Sequence, residues 1–207
     1  MIFFTICMLV SPQQASNISL SRLFLPVPEL RTMVANPLSS VLVTGALFLI
    51  AYSLSKLQPK KSNLTVYVHD YLSGPDASAI PVAGKNGVNS DVLHFGTLIV
   101  VDDVVTEGPD INSKAIGRAQ GLYINSALDG KGLHLVFSVI FTEGEFKGSS
   151  LEIQGADLFS LKEREFSVVS GTGYFRFVKG YGIMVTELMD MVNLRAVLKL
   201  NITVKHY

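Results

Sequence analysis

The sequence predicts an all-β fold for residues 61–207, either a sandwich or a closed barrel. Three observations predict it: apolar residues alternate with period two, Gly, Asp or Pro ends each short segment, and no stretch carries a convincing 3.6-residue repeat. Leu64, Val66 and Val68 alternate with Thr65, Tyr67 and His69 in a first strand that begins near Asn63. His94–Val105 is the next strand segment. Leu133–Thr142 is almost continuously apolar, as expected of a strand covered on both faces. Ser149–Gln154 and Glu165–Val169 follow, while Glu187–Val192 fits neither period cleanly. The last strand alternates Leu198, Leu200, Ile202 and Val204 with Lys199, Asn201, Thr203 and Lys205. The glycines suit tight turns and strand bends, and closure would remove exposed strand edges. Periodicity alone does not separate barrel from sandwich.

The chain has 207 residues, 48% hydrophobic and 16% charged, enough for one core of ordinary size. Basic and acidic residues balance at 17 each, so nothing points to nucleic acid as a partner. The single cysteine, Cys7, lies outside the strand region, which excludes an internal disulfide and a thiolate metal cluster there. Four histidines without HxH or HExxH spacing give no zinc-enzyme pattern, so no metal site is expected.

Two apolar stretches precede the strands, Met1–Val10 and Val41–Leu54, the latter followed by the polar, helix-breaking Lys56–Ser62. Val41–Leu54 has the length of the apolar stretch of a secretion signal; a membrane anchor or a buried helix would ask for a longer window. Residues 1–60 are therefore expected to be a leader outside the mature fold, although its start at Met1 lies unusually far upstream of that stretch.

Several motifs resemble the plant dirigent family. They are VYVHDYLSG around His69-Asp70, FGTLIVVDD (95–103), IGRAQG (116–121), VIFTEGEFKG (139–148), Gly155-Ala156-Asp157, SGTGYFR (170–176), Lys179-Gly180-Tyr181 and the closing NITVKHY. They cover nearly all of residues 63–207 in family order; Thr106–Pro109 and the tail resemble the dirigent-like subgroups more than the lignan-forming one. Ser170 stands where the family usually has glycine. The resemblance implies an eight-stranded antiparallel β-barrel. It also implies secretion to the apoplast, N-glycosylation and a homo-oligomer, dimer or trimer. The implied function is stereoselective coupling of phenoxy radicals in phenylpropanoid biosynthesis. An external laccase or peroxidase makes those radicals, so no cofactor is expected. Two alternatives stay open: a lyase on the same barrel that dehydrates or cyclises an isoflavonoid alcohol, and a non-catalytic phenolic-binding protein of wall or defence.

Asp70 continues the phase of Leu64, Val66 and Val68, and Asp157 follows Leu151, Ile153 and Gly155 at spacing two. Both carboxylates therefore face the apolar side, where burial raises the pKa toward that of a proton donor. Such a donor stabilises the oxygen of a quinone methide as a nucleophile attacks. An Asp near a strand end also often caps a turn. The resemblance makes Asp70 and Asp157 the pocket acids and Arg164 the pocket arginine; by its own surroundings, Lys162-Glu163-Arg164-Glu165, Arg164 reads as part of a solvated loop. Tyr123, Phe137 and Phe175 are substrate-binding candidates or core aromatics. Asp102 and Asp103 cannot share a strand face, and a structural role is expected of them. Sequons stand at Asn17, Asn63 and Asn201; Asn63 and Asn201 are the glycosylation candidates, with Asn201 on the polar face of the last strand.

Overall fold

A computed structural model describes residues 37–56, 59–87 and 90–206. The chain divides after Lys56 into two units. The first contains a helix, α1 (Pro37–Lys56), whose apolar residues lie exposed on every side, Leu42, Phe48 and Leu49 among them. Thr44 Oγ1 bonds back to Ser40 O at 2.8 Å and so occupies its hydroxyl inside the helix. The helix outruns the apolar stretch Val41–Leu54 by one turn at its N-terminal side. The first apolar stretch, Met1–Val10, lies outside the described residues, as do Cys7 and the Asn17 sequon.

The second unit contains nine strands among the described residues: β1 (Lys60–Tyr71), β2 (Ala79–Ala83), β3 (Leu98–Thr106), β4 (Ala115–Asn125), β5 (Leu133–Phe141), β6 (Ser150–Asp157), β7 (Arg164–Thr172), β8 (Lys179–Asp190) and β9 (Arg195–His206). All neighbours pair antiparallel in the order β1-β9-β8-β7-β6-β5-β4-β3-β2, and a further pairing of β1 with β3 closes the sheet. The result is an eight-stranded antiparallel barrel, with β2 as a short ninth strand. β3 makes closure possible by dividing its length. Its first half pairs with β2, from Ala83↔Leu98 to Ala79↔Val101, and its last three residues pair with β1, from His69↔Val104 to Tyr67↔Thr106. The ambiguity between sandwich and barrel is resolved by this one pairing, which no local pattern encodes.

Alternation places Val66, Val68, Leu200, Ile202, Leu151 and Ile153 in the core, as their period required. Three local expectations change. β1 begins at Lys60, inside the segment taken as helix-breaking, because Lys60, Lys61 and Ser62 pair with His206, Lys205 and Val204. His94–Thr97 is a turn and β3 starts at Leu98. β4 and β8 are strands that apolar alternation does not announce. In β4 the inward positions are the small Gly117, Ala119 and Gly121, while Arg118 and Gln120 point outward and hydrogen-bond Asp102. In β8 a bulge between Thr186 and Leu188 shifts the period, and Gly182 leaves room for the Phe166 ring, whose Cζ would lie 2.1 Å from an added Cβ.

Candidate active site

At one end of the lumen the inward face turns polar. β1 carries Asp70 as its next-to-last residue, β6 ends with Asp157, and β7 begins with Arg164, so three strand ends deliver charged side chains into one space. A cavity of about 170 Å³ opens there, lined by Asp70, Tyr123, Asp157, Arg164, Thr186 and the apolar residues Leu72, Phe159, Met189 and Met191 among others. A smaller recess of about 40 Å³ lies along Val68, Asp70, Val101, Asp103, Ala119, Tyr123, Leu135 and Phe137. Asp70, Tyr123, Leu133, Asp157 and Leu198 line both.

Arg164 is buried, with a side chain 4% exposed, and is not part of a solvated loop. Its Nε donates to Asp157 Oδ1 at 2.7 Å and one terminal nitrogen donates to Thr186 Oγ1 at 2.9 Å. Burial pushes the Asp157 carboxyl above its usual range, and the adjacent Arg164 guanidinium opposes that shift. An ion pair this far from water is kept by its geometry and its extra hydrogen bond.

Asp70 has the opposite surroundings. Tyr123 Oη donates to its Oδ2 at 3.3 Å, while its buried Oδ1 has no hydrogen-bond partner among the described residues. Burial raises its pKa to about 6 despite the Tyr123 hydrogen bond, with Asp157 adding a smaller push upward. Tyr123, buried beside these carboxylates, has its own pKa raised well above the usual value and remains a donor.

Asp103, assigned a structural role by its sequence position, belongs to this site. Of the Asp102-Asp103 pair, Asp102 points outward to Arg118 Nε at 2.7 Å, and Asp103 points inward at 3% exposure. Ser78 Oγ donates to Asp103 Oδ1 at 2.5 Å. Burial, and next to it the charge of Asp70, raise the Asp103 pKa to about 8. The signal that marks Asp103 is its phase with Ile99, Val101 and Val105, the same cue that marks Asp70.

The other candidates separate. Phe137 lines the inner recess. Phe175 does not line either cavity and is corrected to a core residue. It sits in a 3-10 turn (Gly173–Phe175) at the other end of the lumen, fully buried, with its ring 5.7 Å from Phe141 and 4.9 Å from Phe146. Asn63 and Asn201 lie on neighbouring strands facing outward. Thr203 Oγ1 donates to Asn63 Oδ1 at 2.9 Å, and Thr65 Oγ1 donates to Asn201 Oδ1 at 3.0 Å, so the two sequons lie side by side, each hydrogen-bonded to the other.

The profile of the family described as Dirigent-like protein matches residues 61–205. Dirigent protein 11 of Arabidopsis thaliana is 42% identical over 147 residues, 71% of this chain and 75% of that one. Pterocarpan synthase 1 of Glycyrrhiza echinata is 38% identical over 151 residues, 72% of this chain and 80% of that one. Among solved structures, that of the pterocarpan synthase dirigent protein GePTS1 superposes with a TM-score of 0.68 at 38% identity, over 72% of this chain and 87% of that one.

Proposed function

Because this chain belongs to the dirigent-like family, which acts on phenolic substrates, we propose that its lumen takes one phenolic alcohol and carries it through a quinone methide by proton transfer alone. The observation that carries this reading is the placement of two buried acids, Asp70 and Asp103, in one recess. Burial raises both carboxyl pKa values, to about 6 and about 8, and Asp70 keeps an unpartnered oxygen, so the pair holds one proton at neutral pH. A proton acceptor and a proton donor thus coexist at neutral pH within one cavity.

The chemistry is a dehydration followed by addition. A carboxylate accepts the phenol proton as the benzylic C–O bond breaks. A carboxylic acid protonates the departing hydroxyl, and water leaves. The resulting quinone methide is electrophilic at the former benzylic carbon, where a second hydroxyl of the same molecule adds. Its proton returns to the phenolic oxygen by way of the acids, so cyclisation loses one water and needs no oxidant. The Asp157–Arg164 pair, at the wider part of the cavity, stabilises negative charge growing on a substrate oxygen.

Cavity size favours one substrate over two. A void of roughly 150 Å³ accommodates benzene, so cavities of about 170 and 40 Å³ hold one substituted ring system more readily than two phenylpropanoid radicals. Relatives named pterocarpan synthase, 36% and 38% identical, support the same choice. Secretion by a leader, glycosylation at Asn63 and Asn201, and a homo-oligomeric state are proposed with it.

The test is incubation with an isoflavanol bearing a free phenol, without oxidant, followed by chromatography. Consumption with loss of one water is expected, and Asp157→Asn should abolish it. If the isoflavanol is untouched, while coniferyl alcohol with a laccase gives enantiomeric excess only when the protein is present, stereo-direction of radical coupling replaces the lyase reading.

A further inference from the structure

The β1–β3 ladder stops one step short of a pairing that its register dictates. Tyr67 faces Thr106, Val68 faces Val105 and His69 faces Val104, so the next step sets Asp70 opposite Asp103. Directly opposed residues on antiparallel strands have Cβ atoms roughly 5 Å apart on one face of the sheet. Ser78 enters where the ladder ends, accepting from Tyr71 N at 3.3 Å and donating to Asp103 Oδ1 at 2.5 Å. Asp103 is thereby fixed through one oxygen, with the other left for the lumen.

Asp70 is fixed in the same manner. Tyr123 holds Oδ2, and Oδ1 is buried without a partner, so Asp103 does not reach it. Among the described residues no Lys or Arg lines the inner recess, Arg164 is committed to Asp157 and Thr186, and Arg195, which lines the wider cavity, is paired with Asp76. Two opposed carboxyls without a cation cannot both ionise, so one proton is shared between them. The surrounding Val101, Ala119, Leu135 and Phe137 offer no competing side-chain donor or acceptor.

We propose that Asp70 and Asp103 form a clamp for one free hydroxyl at the buried end of the ligand, Asp103 donating to its oxygen and Asp70 Oδ1 accepting its proton. The ligand class is a phenol or alcohol unsubstituted at that oxygen. A methyl ether leaves Asp70 Oδ1 unsatisfied and must fit an extra carbon into a recess of about 40 Å³. This clamp rests on the phenolic reading above and adds the orientation of the substrate, hydroxyl inward and bulk toward the cavity of about 170 Å³. Asp103 then joins Asp70 as a residue in direct contact with substrate.

Calorimetric titration of the full chain with 4-propylphenol and 4-propylanisole tests it. At pH 7 the phenol should bind at least about tenfold more tightly than its methyl ether, the discrimination expected when a buried acceptor is left unpaired. Asp70→Leu, checked for folding by its thermal transition, removes the acceptor that the ether leaves unsatisfied and should bring the ratio near one, whereas Asp103→Leu removes the donor that both probes share and should weaken both. Asp103→Asn retains a donor that never ionises. It should keep its affinity for 4-propylanisole at about pH 9, where the unmodified protein loses affinity for that probe as Asp103 gives up its proton. A ratio near one in the unmodified protein, an unchanged ratio in Asp70→Leu, or identical pH profiles of 4-propylanisole binding for Asp103→Asn and the unmodified protein would each overturn the clamp while leaving a phenolic pocket intact. Binding of neither probe would overturn the phenolic reading as well.

Discussion

The two ends of the lumen are built by the same strands and differ in what those strands carry inward. At one end Phe141, Phe146 and Phe175 pack ring against ring with centroids 4.9–5.7 Å apart, and Phe175 is wholly buried. At the other end Asp70, Asp103, Asp157, Tyr123 and Arg164 share a partly hollow space. The aromatic end contributes packing and removes apolar area from water. The polar end gives up that packing and adds the desolvation of three carboxyls. Stability and chemistry are thus sorted by position along one barrel, and substitutions at the two ends should have opposite signatures.

The largest effects test that sorting directly. Asp70→Asn keeps the shape and Tyr123 contact of the side chain but removes the group that accepts a proton. Turnover of the isoflavanol should fall by about 10²–10⁴, the usual worth of a positioned acid or base, with the thermal transition unchanged or raised. Phe175→Ala should do the reverse: a loss of about 3–5 kcal/mol in denaturant unfolding, with kcat per folded molecule unaffected. If Phe175→Ala lost turnover without losing stability, the division between the ends would be wrong.

How much of this was legible in the sequence depends on what each strand carries. β1 and β9 announce themselves because apolar residues occupy every second position, and the same phase points Asp70 inward. β4 was illegible because Gly117, Ala119 and Gly121 break the apolar alternation, the two glycines at positions where a Cβ would strike the β5 backbone. Barrel closure was illegible because the β1–β3 pairing joins residues far apart in the chain. Asp103 was misread for a different reason. Two adjacent acids look like a turn, and only the alternation of β3 divides them into Asp102, paired outside with Arg118, and Asp103 inside. Phe175 stayed open between pocket wall and core because an inward aromatic has the same signature at either end of a barrel. Arg164 gave no local signal, since its charged neighbours do face solvent and it alone turns in.

The next effect concerns the ion pair. Arg164→Leu removes one of the two arginines that line the cavity of about 170 Å³ and leaves Asp157 buried without its ion-pair partner. A loss of about 3 kcal/mol is expected by denaturant unfolding. The double variant Arg164→Leu with Asp157→Leu should regain most of it, because a buried pair replaced by apolar groups is often neutral. Neither variant should turn over substrate. Failure of the double variant to recover would mean that Arg164 stabilises mainly through Thr186 and Leu161.

A smaller, pH-dependent effect follows from the raised carboxyls. Burial raises the pKa of Asp70 from the usual 3.8 to about 6 and that of Asp103 to about 8, so the native state binds more protons than the unfolded state between those limits. Their contribution to stability is complete below the unfolded pKa and is lost as pH rises through the native values. Thermal transitions measured from pH 4 to 9 should therefore decline on the alkaline side, and the Asp70→Asn, Asp103→Asn double variant should decline less. A steeper decline in the double variant would show that the carboxylates are stabilised, not penalised, by the lumen.

The smallest effect should come from Tyr123. Its hydroxyl makes one hydrogen bond at 3.3 Å, a long contact, to the Asp70 oxygen that the substrate does not use. Tyr123→Phe keeps the ring that lines both cavities and removes only that donor. A hydrogen bond this long contributes on the order of 1 kcal/mol, so turnover should change by about tenfold or less. The direction of the pH effect is more informative than its size. Tyr123 lowers the Asp70 pKa, so its removal should move the acidic limb of the pH–rate profile upward from about 6. A downward shift, or a loss as large as that of Asp70→Asn, would mean that Tyr123 contacts substrate itself and that the polar end of the barrel has a second donor to the reacting oxygen.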